Sequence, residues 1–376
     1  NTTCTVKVTS EVTSLYEDGT FIINEQNTNR NSNIANHGKV INEYNAMDSE
    51  NSYVFIRPAI GTATRPWDSN SRKVKSVEIG KTIQPTSTAY WFYQFDNVEK
   101  GYFSNLDTSR VTDMRYMFVG LGESNTVATV NLDLSSWDTS NVTNMNYMFW
   151  GIGYDGKTIN LDLSNWNTAK VTDMSYMFEN TGATAMTALN LGDKFDTKNV
   201  ENMSHMFAGA GATAMTELNL GIKFYTSKVT DMTEMFNGTG LTAMETLDLG
   251  PAFTKIADVN TDMFTNTGKT GAIIYAPESI YNNRTHFKLS TDSETTIEYT
   301  QGTINPKYKP EWTKISSSIS EENKTISIVV KGFVDKDIYS SNANGQFPEG
   351  QLTEEQAKLL NVYIDGELAE SVTKTI

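Results

Sequence analysis

The chain has 376 residues and a formal net charge of −15, with 30 lysines and arginines against 45 aspartates and glutamates. That charge repels phosphates and anionic lipid headgroups, so we expect no nucleic-acid partner and no docking on an anionic membrane surface. No apolar run approaches the roughly 18 to 20 residues that span a bilayer, so we expect no direct membrane insertion. The single cysteine excludes an internal disulfide and a cysteine-rich zinc site.

Residues 1–73 carry no internal repeat and predict a β-rich N-terminal cap. Within them, residues 15–23 place an Asp-Gly pair between β-prone runs, which predicts a hairpin. Residues 53–56 are a further strand candidate, and the Asn-, Ser- and Thr-rich stretch at 27–52 predicts a long polar loop.

A repeat of about 29 residues dominates the region 74–302. The dipeptide Met-Phe recurs six times at spacings of 31, 29, 29, 29 and 28 residues, and a phrase of the form Val-Thr-Asx-Met precedes most copies. The dipeptides end at Phe118, Phe149, Phe178, Phe207, Phe236 and Phe264. We therefore predict a stacked repeat array with a C-terminal capping segment that follows a last strand at 272–277.

Each complete copy changes its periodicity along its length. A Leu-Asx-Leu segment predicts a short strand with one buried face. After an aromatic residue, Val, Met, Met and Phe follow at i, i+3, i+6 and i+7, which predicts one side of a two-turn helix. Neither element buries its apolar face alone, so neighbouring copies must stack, with the strands in a parallel ladder and the methionines in the core. The predicted fold class is α/β, with short parallel strands and short helices.

The repeat resembles a known family. The sequence Leu-Asp-Leu-Ser-x-Trp, continued to Met-Phe at 132–149 and 161–178, is similar to the BspA-type leucine-rich repeat of bacterial surface proteins. This resemblance covers roughly 74–277 and implies a right-handed leucine-rich-repeat solenoid, secretion and attachment to the cell surface or wall. It also implies adhesion to host glycoproteins, matrix proteins or other microbes. Three later copies replace Leu-Ser-x-Trp with Leu-Gly-x-x-Phe, which keeps the packing and leaves the ligand open.

Residues 303–376 lack the repeat and begin with a proline-marked linker. Residues 312–319 and 325–330 predict strands, residues 353–360 match a helix with a capping box, and residues 360–364 predict a strand that enters an Asp-Gly turn. This pattern is similar to the Ig-like modules of stalks on Gram-positive surface proteins. We expect the module to be incomplete and the native protein to continue beyond it.

No catalytic motif is recognisable, and we expect no enzyme activity, no cofactor and no metal site. The three histidines are scattered in sequence. His205 occupies a slot that holds tyrosine or glutamate in other copies, which indicates a solvated helix position without a catalytic role.

The best candidate ligand surface is the outward face of the strand ladder. One polar residue lies between the leucines of each copy and would stack on its counterparts, offering acceptors and donors to sugar hydroxyls, basic side chains or a hard cation. The alternative is that this row is only the solvent-exposed side of half-buried strands and binds no ligand. The row comprises Asp133, Asp162, Asn190, Asn219 and Asp248.

The return loops ahead of the first two complete copies are longer than the later ones and form a second candidate. Trp150 and Tyr154 in one of them could form a lip that stacks on carbohydrate, and plain loop variation is the alternative.

Together these features predict a monomeric, secreted adhesin without catalytic activity. It would recognise a host or microbial surface protein or glycan through the solenoid. Two other functions stay open. The chain could be a structural spacer that projects another domain from the cell wall, or a non-catalytic part of a larger secreted enzyme.

Overall fold

A computed structural model describes the residues 11–26, 28–45, 67–124, 128–154, 156–269, 272–277 and 280, and the backbone of four strands after residue 311. The chain divides into two compact units, 1–302 and 303–376. The fold is α/β, with few helices and with mixed, mostly parallel sheets. None of the helices in the described residues is long and apolar enough to span a membrane.

The N-terminal hairpin predicted at 15–23 is confirmed. Strands β1 (Glu11–Tyr16) and β2 (Thr20–Gln26) pair antiparallel around an Asp-Gly turn. In that turn Gly19 has φ +97°, and the Oδ1 atom of Asp18 accepts a hydrogen bond from the backbone N–H of Thr20 at 2.8 Å. A glycine is required there because side chains disfavour this φ.

The predicted polar loop at 27–52 is wrong over most of its described length. It contains helix α1 (Arg30–His37) and strand β3 (Val40–Asn45), which pairs antiparallel with β1. The prediction failed because the segment has no clear apolar pattern. Helix α1 buries none of its residues, and β3 is held by its backbone ladder with β1. The strand candidate at 53–56 lies outside the described residues.

The hairpin continues directly into a parallel sheet. After a 3-10 helix at Asp68–Lys73, the strands β4 (Ser76–Ile79), β5 (Lys100–Tyr102), β6 (Thr129–Leu132) and β7 (Thr158–Asn160) follow in order. Strand β2 pairs in parallel with β4, and each of these strands pairs in parallel with the next. The sheet order is therefore β3-β1-β2-β4-β5-β6-β7.

A second parallel sheet contains β8 (Glu217–Asn219), β9 (Thr246–Asp248) and β10 (Ile273–Tyr275). Strand β10 confirms the last strand predicted at 272–277. Between the two sheets an isolated bridge joins Asp162 to Asn190. The predicted Leu-Asx-Leu strand therefore shortens to a single bridge in the copy that contains Asn190.

The predicted repeat helices are absent, since no residue described between 86 and 269 is helical. Each predicted helix is a run of turns. Met117 N–H bonds to the Met114 carbonyl within the copy, but Met114 N–H bonds to Asn144 O at 3.0 Å in the next copy. Tyr116, at φ +57°, bonds likewise to Asn146 O at 2.9 Å. The spacing i, i+3, i+6 suits three-residue turns as well as a helix, and the left-handed tyrosine excludes the helix.

We call these stretches turn segments. Parallel bridges join their Asx residues in the chain order Asp113, Asn144, Asp173, Asn202 and Asp231. The five turn segments are residues 111–120, 142–151, 171–180, 200–209 and 229–238.

The core of the array contains a row of phenylalanines that share one hydrophobic cluster with the methionines. Successive rings of this phenylalanine row lie 5.4–5.7 Å apart, and all are buried. All fourteen methionines of the array are buried too, as predicted. The row consists of Phe92, Phe118, Phe149, Phe178, Phe207, Phe236 and Phe264.

The C-terminal unit contains two described hairpins. Strands β11 (Trp312–Ser320) and β12 (Thr325–Gly332) pair antiparallel, as do β13 (Tyr363–Ile364) and β14 (Glu367–Leu368). The strands predicted there are confirmed, whereas the helix predicted at 353–360 lies outside the described residues.

Candidate functional site

The polar row predicted on the strand ladder lies where the strands end. In every copy the side-chain Oδ1 atom accepts a hydrogen bond from the backbone N–H two residues later, at 2.8–3.1 Å. This geometry is an Asx turn, in which the side chain closes the turn after the strand. The residues that do so are Asp133, Asp162, Asn190, Asn219 and Asp248.

The row does not face solvent along its whole length. Asp133, Asp162 and Asn190 are exposed, Asn219 is half-buried, and Asp248 is only 6% exposed. The prediction of an outward side chain is therefore wrong for Asp248. This residue lies in β9, which is paired with β8 on one side and with β10 on the other.

The exposed carboxylates of this row are readily ionised. The Ser135 hydroxyl donates to Asp133 at 2.6 Å and holds the pKa of Asp133 below its usual range. The backbone N–H of Ser164 lowers the pKa of Asp162 in the same way. One end of the row can therefore offer two anionic acceptors, while Asn190 and Asn219 are neutral.

The second candidate pair is divided between two environments. Trp150 is half-buried, and its indole Nε1–H donates to Glu179 Oε2 at 2.8 Å in the next copy. Tyr154 is 41% exposed, and its backbone carbonyl accepts a hydrogen bond from the Thr184 hydroxyl at 3.2 Å. The Trp150 indole is thus held in one orientation by its neighbour in the stack.

The structure places an aromatic stack along the turn segments that sequence reasoning missed. Its successive rings lie 4.7, 4.6, 4.2 and 4.4 Å apart, with interplanar angles of 6–11°. The first ring is buried and the other four are half-buried. We call this stack the tyrosine row: Tyr90, Tyr116, Tyr147, Tyr176 and His205.

Every member of the tyrosine row has a left-handed backbone, with φ between +55° and +61°. Non-glycine residues rarely adopt this conformation, because the side chain crowds the backbone. Here the N–H groups of Tyr90, Tyr116, Tyr147, Tyr176 and His205 all bond to the next copy. The signal in the sequence was the recurrence of tyrosine at spacings of 26, 31 and 29 residues.

His205 is the last ring of this stack, so the prediction of a solvated helix position is wrong. Its Nδ1 atom lies 3.7 Å from Glu234 Oε2, which also accepts a hydrogen bond from Asn237 Nδ2 at 2.8 Å. The chain does not form a helix there, and only 19% of the His205 side chain is exposed.

Charge accumulates at this end of the tyrosine row. Burial raises the pKa of Glu179, with the nearby Glu234 acting in the same direction and His205 opposing it. Burial also raises the pKa of Tyr147, reinforced by Tyr176 and Tyr116, so that its phenol stays neutral well into the alkaline range. The site therefore combines neutral phenols, an imidazole and two interacting carboxyl groups.

A second Asx row was also missed. Its members lie in the turn segments, and each Oδ1 atom closes a turn with the N–H two residues later at 2.8–3.1 Å. Among the described residues, no group of three or more His, Cys, Asp or Glu side chains is placed to hold a metal ion. The row consists of Asp113, Asn144, Asp173, Asn202 and Asp231.

A family model described as "Mycoplasma protein of unknown function, DUF285" matches residues 86–215 and 181–270. The two matches overlap, as expected when one repeat can be aligned in more than one register. They cover the phenylalanine row from Phe92 onward and the whole tyrosine row. Comparisons with curated proteins and with solved structures gave no match. The chain is thus similar to this family through its repeat array, and the similarity assigns no activity.

Proposed function

We propose that the chain is a non-catalytic adhesin of a bacterial cell surface, which binds a host or microbial protein or glycan through its repeat array. The observation that carries the proposal is the tyrosine row, which holds half-buried rings at regular spacing on one set of turn segments. Tyrosine and tryptophan dominate the binding energy of many protein interfaces, because one side chain offers both apolar area and a polar group.

Preorganisation supports the same proposal. Backbone hydrogen bonds to the next copy hold each of these residues, and the rings pack on one another. A partner that docks on such a row would immobilise few flexible side chains. Less conformational entropy is then lost on binding than on a surface of loose side chains.

The finer architecture belongs to this proposal. The parallel stacking and the similarity to BspA-type repeats support a right-handed leucine-rich-repeat solenoid behind a β-rich cap. The two hairpins of the C-terminal unit support an Ig-like stalk module. Secretion and attachment to the cell surface follow from that architecture as part of the proposal, as does a monomeric state.

The test is binding of the purified 376-residue chain to an array of mucins, matrix proteins and glycans. A Tyr147→Ala/Tyr176→Ala variant should lose binding at least about tenfold, the scale at which interface hot spots act. Its circular dichroism spectrum must match that of the parent. Failure of the parent to bind any member of the array would contradict the proposal.

A matched variant tests the strand-ladder row. The double change Asp133→Asn/Asp162→Asn removes two charges and keeps the Oδ1 acceptor, as Asn190 and Asn219 do in their own copies. Binding lost in this variant, but kept in the tyrosine variant, would move the site to the strand ladder.

A structural spacer is the second candidate function, and one observation favours it. Every residue of the predicted polar row is engaged in closing its own turn, as a scaffold requires. If the chain is a spacer, the surface protein that carries it should keep its adhesion when only these 376 residues are deleted. Loss of adhesion in that deletion would exclude the spacer.

A further inference from the structure

We propose that the surface beside the tyrosine row docks a cationic protein segment, rich in arginine and lysine. This inference rests on the proposed binding function and names the partner of that same surface. It starts from the distribution of charge over the five turn segments, which carry six carboxylates against one arginine, Arg115. The carboxylates are Asp113, Asp173, Glu179, Glu201, Asp231 and Glu234.

Part of the charge of this surface is uncompensated. Arg115 Nε is already paired with Asp113 Oδ2 at 3.2 Å. Within the described part of the chain, the partners of Glu179 and Glu234 are Trp150, Asn237 and His205, and no lysine or arginine is among them. A cationic partner would therefore supply charge compensation for these two glutamates.

A strip of exposed side chains runs along this surface, with threonine in four of the five turn segments and Glu201 in the remaining one. Four threonines at equivalent positions are exposed, and each donates its hydroxyl to a carbonyl of the preceding copy at 3.0–3.3 Å. These side chains lie against the array, because their hydroxyls are bound to it. An extended segment could lie along this strip without displacing any of them: Thr112, Thr143, Thr172 and Thr230.

The stacking geometry favours a charged segment over a sugar. Inside the row, Tyr116, Tyr147 and Tyr176 cover one another's ring faces, which are the surfaces that a sugar ring would stack on. Because these rings are half-buried, the part of them that a partner can reach is their edges. Carboxylates beside them can pair with the planar fork of arginine, while the aliphatic stems of arginine and lysine pack against the ring edges.

The overall charge of the chain favours such an encounter. A protein of charge −15 attracts a cationic partner over a distance comparable to the Debye length, and salt weakens that attraction. Charge alone would not select the tyrosine row, so the experiment must separate net charge from position.

The probe is a fluorescein-labelled 12-residue peptide of alternating arginine and serine, compared with its glutamate-serine counterpart. Binding to the full chain is followed by anisotropy at low and at physiological salt. We expect the arginine peptide to bind and the glutamate peptide not to bind. The variant Glu179→Gln/Glu234→Gln should bind the arginine peptide about tenfold more weakly.

The control variant is Glu99→Gln/Glu217→Gln, which removes the same charge from two exposed glutamates outside the turn segments. It should bind the arginine peptide within about twofold of the parent. Equal weakening by both variants would show that only net charge acts and would overturn the inference. A peptide that does not bind at all would overturn it too.

Failure here is distinguishable from failure of the proposed function. If the arginine peptide does not bind, but Tyr147→Ala/Tyr176→Ala abolishes binding of a neutral glycan on the array, the adhesin stands and its partner is a sugar. If neither the peptide nor any array member binds, both proposals fail.

Discussion

The phenylalanine row and the tyrosine row lie two residues apart in each turn segment, but the residue type is constant in the first row and varies in the second. The phenylalanine position holds phenylalanine in all six repeats, whereas the other position holds Tyr116, Tyr147, Tyr176, His205, Glu234 and finally Asp262. All six residues at the second position nevertheless have φ between +51° and +60°. The comparison teaches that hydrogen bonds between copies set the backbone, so a side chain outside the core can vary without changing the fold.

The largest expected effect on stability comes from truncating a side chain of the phenylalanine row. Phe178→Ala should lower the free energy of unfolding by about 3–5 kcal/mol, because the Phe178 ring is fully buried and its removal leaves a cavity in the core. Tyr176→Ala should cost only about 1–2 kcal/mol, since its ring is half-buried and mainly its two stacking contacts are lost. Urea unfolding measures both, and equal losses would contradict the comparison.

A smaller effect tests a hydrogen bond that links successive copies. The buried Thr181 hydroxyl donates to the Phe149 carbonyl of the preceding turn segment at 2.8 Å. Thr181→Ala should cost about 1 kcal/mol in the same unfolding experiment, because this link between copies is lost. Thr181→Ser keeps the hydroxyl and should cost less. A serine variant as unstable as the alanine variant would assign the loss to the missing methyl group instead.

A pH experiment tests one residue of the tyrosine row. The pKa of the Tyr147 phenol is raised in the folded chain, so above its ordinary value of about 10 the unfolded chain loses this proton first. Stability should be unaffected by this group below that pH and should fall as pH rises from there towards the folded pKa. Tyr147→Phe should make the decline shallower. An unchanged alkaline decline in the variant would assign it to other groups.

The smallest effect is expected at the end of the tyrosine row. His205→Tyr restores the residue type of the neighbouring copies, keeps the stack on Tyr176 and removes only the contact with Glu234. The unfolding free energy should change by less than about 0.5 kcal/mol. A loss like that expected for Phe178→Ala would mean that histidine is specifically required.

Much of this fold follows from residue spacing. The hairpin was predictable from its Asp-Gly turn between β-prone runs. The methionine core, the parallel stacking and the strand near residue 274 were predictable because buried positions repeat with a fixed period. The turn segments were not, because apolar residues at i, i+3 and i+6 fit both a helix and successive turns. What decides between them is the left-handed tyrosine, and residue type does not reveal φ.

The candidate site divides in the same way. The positions of the polar row were visible in the sequence, and so was a clue to its role, since a serine or a glycine stands two residues after each Asx residue. The tyrosine row was missed because variation at the His205 position was interpreted as solvent exposure. A site that varies within a stack can still be ordered, because backbone bonds from both neighbouring copies hold it in place.

The bonds from one turn segment to the next have a mechanical consequence. The N–H groups of Met114, Tyr116 and Phe118, for example, donate to carbonyls of the following copy. Force applied to one end of the array would therefore unfold it from that end, one copy at a time. Each copy of about 29 residues would then release about 100 Å of chain at its full extension. The proposed adhesin would then lengthen under load while its remaining copies stay folded.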